Sequence, residues 1–130
     1  MSLFEKKKGT LLEGFEPLGK KKKVAELEII DSIVGDGQEV IEDDTVTVHY
    51  TGALCVDGKI FESSLDGGRP ATFGLEQVIH GWTVGLPGMK VGGTRRLIIP
   101  SEMAYGHRRA SSSIPPNSDL VFDIELIAVL

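Results

Sequence analysis

The chain has one cysteine, Cys55, in 130 residues. No disulfide can form within it, which fits a reducing compartment. Cys55 does not read as a nucleophile either, because no cationic neighbour or helix start stands beside it to lower its pKa. The three histidines, His49, His80 and His107, include no two at metal-ligand spacing, so neither zinc nor any other metal is expected. The sequence shows no phosphate loop, dinucleotide fingerprint or nucleophile elbow, and no cofactor is expected. Gly67-Gly68 and Gly92-Gly93 read as turns. No apolar run approaches the roughly 18 residues that span a bilayer. The early lysines have no apolar stretch behind them of the kind a signal peptide needs. The expected location is cytoplasmic, with an exported or anchored form as the alternative if an N-terminal segment has been removed.

What is present is an ordinary globular balance, 41% hydrophobic and 25% charged, long enough for one domain with its own core. The net charge of −5 is uneven. Residues 1–23 hold seven Lys against three Glu, and the remainder holds seven Lys plus Arg against sixteen acids. Residues 1–23, with Lys6 to Lys8 and Lys20 to Lys23, read as a basic, flexible leader whose Phe15 and Leu18 could dock on the domain. Polyanion tethering is the lesser reading, because no aromatic residues interleave the lysines. Residues 24–130 read as the domain.

Period-two alternation dominates that domain. Val24 to Val34 is predicted as a half-buried strand. In Thr45 to Leu54, Val46, Val48 and Tyr50 share one face and Thr45, Thr47, His49 and Thr51 the other. Asp57-Gly58 turns the chain into Lys59 to Ser63, and Ala71 to Phe73 is a brief strand. Thr94 to Ile99 and Asp119 to Val129 complete the set. In the last, Leu120, Phe122, Ile124 and Leu126 oppose Asp123 and Glu125. One short helix is predicted, carrying Val78, Ile79, Trp82 and Leu86, and kept short by Gly81, Gly85 and Pro87. The class is α+β: a curved antiparallel sheet of about five or six strands, a half-barrel, around one short α-helix.

With reactive groups absent, the notable set is aromatic: Tyr50, Phe61, Phe73, Trp82, Tyr105 and Phe122. A plain aromatic core is one reading. Against it, the Tyr50 and Tyr105 hydroxyls need partners, which suits a pocket rim. Ile114-Pro115-Pro116 also places apolar side chains in a loop. Core and apolar pocket stay open as alternatives at this level.

These residues lie within motifs that resemble the FKBP-type peptidyl-prolyl isomerases, the macrolide-binding immunophilins. The motifs are Val48-His49-Tyr50-Thr51-Gly52, Gly58 to Ser64, Val78-Ile79-His80-Gly81-Trp82, Gly88 to Gly92, Ala104-Tyr105-Gly106, Ile114-Pro115-Pro116 and Leu120 to Leu126. The resemblance runs from about residue 24 to 130. It implies catalysis of cis/trans isomerisation at Xaa-Pro bonds in folding proteins, without a nucleophile, metal or cofactor. It also implies Trp82 as the pocket floor, Tyr50, Phe61 and Phe122 as walls, and Glu62 as an edge polarity. Phe73, Val78 and Ile79 would contact substrate, with the Ile79 N–H bonding a carbonyl. Tyr105 and Ile114 would close the pocket from the loop.

The implied partners are proline-containing polypeptide clients and macrolides of the tacrolimus/rapamycin type. A monomer is expected, with no nucleic acid and no membrane span. A non-catalytic proline-peptide or macrolide-binding scaffold is the alternative function. Departures from the family pattern motivate it. Glu62 stands where many members have Asp, Ala71 where eukaryotic members often have Phe, and the flap residues His107, Arg108, Arg109 and Ser111 to Ser113 are basic and polar. The loop between Tyr105 and Ile114 is too short for the chaperone domain that some members insert there.

Overall fold

Residues 8–108 and 110–130 are described by the computed structural model; Lys6, Lys7 and Arg109 lie outside them. Alternating sequences become strands: β1 (Glu28–Ile33), β2 (Thr45–Leu54), β3 (Ile60–Ser63), β4 (Ala71–Gly74), β5 (Thr94–Ile99) and β6 (Leu120–Val129). Two short helices join them, α1 (Ser64–Gly67) after β3 and α2 (His80–Gly85) after β4. The strands form one antiparallel sheet in the order β1-β5-β6-β2-β3, and β4 pairs the first half of β2. The predicted α+β class holds, with α1 as an addition to the single predicted helix.

The period-two pattern decides what each face meets. Val46, Val48, Leu97, Ile99, Leu120 and Ile124 are fully buried beneath α2. Threonines and carboxylates of the same strands face outward. The predicted first strand is longer than the observed one. β1 starts at Glu28, and all six of its residues are exposed, because it is a sheet edge bonded only to β5.

The periodicity also predicts a helix carrying Val78, Ile79, Trp82 and Leu86, whereas α2 begins at His80. Val78 and Ile79 are extended, with ψ of 175° and 149°. Ile79 precedes the first turn, its carbonyl accepting from the N–H of Trp82 at 2.9 Å and of Thr83 at 3.2 Å. Glycine inside α2 has a packing reason. A Cβ at Gly81 would lie 2.6 Å from Ile99 Cγ2, and one at Gly85 2.9 Å from Leu97 Cδ2. Bare backbone lets α2 settle onto β5 and fixes the height of Trp82.

Arg95 ties the far end of α2 to the sheet. Its guanidinium donates to the Gly85 carbonyl at 2.8 Å and to Asp31 of β1 at 2.7 and 3.2 Å.

The described part of the predicted flexible leader is laid along the domain. The Gly9 N–H donates to the Ile60 carbonyl, Ile60 N–H to Thr10, and Leu12 N–H to Gly58, all within 2.8–2.9 Å. This covers the edge of β3 that would otherwise be free. Leu12, Phe15 and Leu18 join Cys55, Ile60 and Val121 in a second apolar cluster on the outer side of the sheet. Arg96 clamps the segment. It pairs with Asp123 at 2.6 and 2.8 Å, donates to the Glu13 and Gly14 carbonyls, and lies 5.8 Å from the Phe15 ring centre. Asp123, which the alternation places opposite the apolar face of β6, is therefore half of a clamp.

Candidate active site

Trp82 stands among three rings because α2, β2, β4 and β6 each contribute to one concavity. Its ring centre lies 5.5 Å from Tyr50, 5.4 Å from Phe73 and 5.3 Å from Phe122, all edge-to-face. Phe61 meets Phe122 at 5.7 Å and 88°. Such T-shaped contacts each add about 0.5–1.5 kcal/mol beyond burial, so the walls are held by one another.

The rings do not close over. They line an open cavity of about 320 Å³ with Glu62, Gln77, Val78, Ile79 and Tyr105. Trp82 is its apolar floor, 4% exposed. The indole Nε1 has no acceptor among the described residues. The Ile79 N–H likewise has none there, which leaves it free for a bound carbonyl.

Nine of the ten residues singled out from sequence line this cavity: Tyr50, Phe61, Glu62, Phe73, Val78, Ile79, Trp82, Tyr105 and Phe122. The tenth, Ile114, is 6% exposed in the core cluster and is not among the lining residues. Ala71 pairs with Val48 and is not among them either. Gln77 lines the cavity without having been anticipated. It ends a 3₁₀ turn at Leu75–Gln77, and a polar residue three before a short helix carries no pattern that marks it.

Gly52 supports two walls at once. It pairs with Phe122 across the sheet. A Cβ there would lie 2.6 Å from Phe122 Cε2 and 2.7 Å from Phe61 Cζ. Gly52→Ala is expected to push both rings off position, at an overpacking cost of about 1–3 kcal/mol. Ligand affinity for the cavity should fall together with the urea midpoint, and unchanged affinity would show that the walls absorb the methyl.

Electrostatically the site is neutral chemistry beside one carboxylate. Burial, and then the charge and hydrogen bonding of Glu62, raise the Tyr50 phenol above its ordinary value. Burial, then Glu62, does the same for Tyr105. Both hydroxyls therefore remain donors through alkaline pH. Outside the cavity, burial, with Asp119 adding to it, pushes the Cys55 thiol up to about 12, which makes it inert. Unfolded phenols and thiol ionise first, near 10.0 and 9.0. The native state then binds more protons, so stability should fall as pH rises past about 9. A urea midpoint that holds or rises from pH 7 to pH 10 would contradict this. No group of three or more potential metal ligands occurs among the described residues, and no helix there is long and apolar enough to cross a membrane.

Comparison with known proteins places this geometry. A sequence model of the FKBP-type peptidyl-prolyl cis-trans isomerases matches residues 37–127. A probable FKBP-type peptidyl-prolyl cis-trans isomerase of Haemophilus influenzae is 50% identical over 95 residues, 73% of this chain but 39% of its own length. An FK506-binding protein of Neisseria meningitidis is 50% identical over 97 residues, 73% of this chain and 88% of its own. The crystal structure of a peptidyl-prolyl cis-trans isomerase from Pseudomonas syringae superposes with a TM-score of 0.72 at 42% identity, covering 83% of this chain and 79% of that one.

Proposed function

This chain belongs to the FKBP-type peptidyl-prolyl cis-trans isomerases, and from that premise we propose that its aromatic cavity accelerates rotation about Xaa-Pro bonds of polypeptide clients. The observation that carries the reading is the open, ring-lined cavity over Trp82 with hydrogen-bonding groups only at its edge. Peptide rotation has a barrier of about 18–20 kcal/mol, mostly lost amide resonance. In the twisted transition state the carbonyl carries less negative charge than in the planar amide. Water solvates the planar form better, so an apolar cavity favours the twisted one relative to it, which is differential transition-state binding.

Each edge group has a part. Trp82, Phe73 and Phe122 hold the proline ring by shape. The Ile79 N–H and the Tyr105 hydroxyl orient the flanking carbonyls. Glu62 lines the cavity with Tyr50 and sets the polarity of the rim; it removes no proton from substrate. Macrolides of the tacrolimus/rapamycin type compete for the same cavity, a reading supported by the FK506-binding name of the Neisseria relative.

Magnetisation exchange on a short Xaa-Pro peptide tests the proposal. Uncatalysed exchange takes roughly 10–100 s at room temperature, and the chain should shorten it at catalytic concentration. Binding without acceleration would instead assign a scaffold role.

A further inference from the structure

Lys20 to Lys23 are held between two anchors. On one side the Leu18 N–H donates to the Cys55 carbonyl at 2.8 Å and Gly19 N–H to Val56 at 3.0 Å. On the other, the Val24 N–H donates to Asp119 Oδ2 at 2.9 Å. Leu18 and Val24 both sink into the outer apolar cluster. Lys20, Lys21, Lys22 and Lys23 arch between these anchors, all exposed. None has a carboxylate partner among the described residues. Asp119, which also lines the groove beside them, is committed to the N–H groups of Val24 and Ser101. Pinning both ends lowers the ordering entropy that four free lysines would lose on binding.

The arch faces a groove of about 320 Å³, with Lys20, Lys22 and Lys23 on one wall and Pro115, Pro116 and Ser118 on the other. That second wall belongs to the loop whose base also borders the aromatic cavity. The Asn117 N–H donates to the Gly106 carbonyl at 2.8 Å, and Gly106 follows Tyr105, which lines the cavity. Groove and cavity thus flank one loop base.

We infer that Lys20 to Lys23 and the Pro115–Ser118 wall form a docking track for an acidic segment of the client whose proline occupies the cavity. The inference rests on the isomerase reading and adds a substrate class to it. The charge is complementary to an acidic occupant: Lys20, Lys22 and Lys23 line the groove, all exposed. A polypeptide fits better than a nucleic acid, because no aromatic ring lines the groove for base stacking.

The test uses the full chain and two peptides with the same Xaa-Pro core, one joined through a short Gly-Ser linker to four glutamates and the other to four serines, each made with the tail on either side. The Glu-tailed peptide should show a KM about five- to tenfold lower in one of the two orientations, as four exposed charge contacts allow. The advantage should vanish in K20Q/K21Q/K22Q/K23Q and in 1 M salt, where the screening length is about 3 Å. The serine peptide should be turned over equally by both proteins. Equal KM values in the wild-type chain, or an advantage that survives the quadruple substitution, would overturn the track. So would a single-stranded oligonucleotide that binds through these lysines and is not displaced by the acidic peptide. If neither peptide is isomerised, the isomerase reading fails separately, and fluorescence anisotropy of the labelled Glu-tailed peptide still decides the track.

Discussion

Trp82→Ala is expected to remove most of the isomerase activity and to cost about 3–5 kcal/mol of stability, the range for emptying a buried aromatic site. The two losses share a cause. Trp82 is 4% exposed and touches Tyr50, Phe73 and Phe122 edge-to-face, so its removal opens the core and lets three walls relax. Domains of this size have about 5–15 kcal/mol in total, so unfolding could masquerade as lost catalysis. Trp82→Phe and Trp82→Leu separate the two. Phenylalanine retains a ring floor and also removes the unpartnered indole N–H, so its stability cost should be smaller than its lost area suggests. Activity measured on folded protein should fall in the order Trp, Phe, Leu, Ala. Each 1.4 kcal/mol of transition-state stabilisation is worth about tenfold, so the span from Trp to Ala should exceed that. A folded Trp82→Leu protein with full activity would remove Trp82 from the catalytic floor.

The second large effect is expected at Asp31, remote from the cavity. Arg95 is buried, its side chain 9% exposed, while the Asp31 carboxylate is 36% exposed. Asp31→Ala leaves a guanidinium under α2 without its counter-charge, although the Gly85 carbonyl still accepts from it. Breaking a fully buried pair costs about 3–5 kcal/mol, and the open side of Asp31 brings the expectation to about 2–3 kcal/mol. The double substitution D31A/R95M should recover part of that loss, because the orphan charge is gone. Chemical denaturation of both variants checks the sign, and a double variant no more stable than D31A would mean that the charge is not what matters. Activity should drop severalfold in D31A, because Arg95 holds the Gly85 end of the six-residue helix that carries Trp82.

Much of this protein was legible without coordinates because its strands obey a period of two. β2 and β6 appear where alternation places them, and Val46, Val48, Phe122 and Ile124 face inward as their spacing requires. The aromatic residues could be collected from sequence because little else in the chain competes for chemistry. Three things were not legible. The helix begins at His80 and not before Val78, since Ile79 must be extended to free its N–H, a matter of backbone geometry that apolar spacing does not encode. Gln77 reaches the cavity only because a 3₁₀ turn aims it there. The described part of the leader packs because Arg96, more than eighty residues away in sequence, grips the Glu13 and Gly14 carbonyls.

The sequence by itself determined the α+β class, the strand faces, the absence of an internal disulfide and the aromatic membership of the site. Those follow from local periodicity and composition, which each segment carries alone. The tertiary structure decided that six rings surround an open cavity instead of filling a closed core. It also decided that Ile114 lies in the core and that four lysines arch over a groove beside the loop. Each depends on contacts between distant segments, where β5 side chains meet glycine backbone and buried cations find carbonyls that no local pattern specifies.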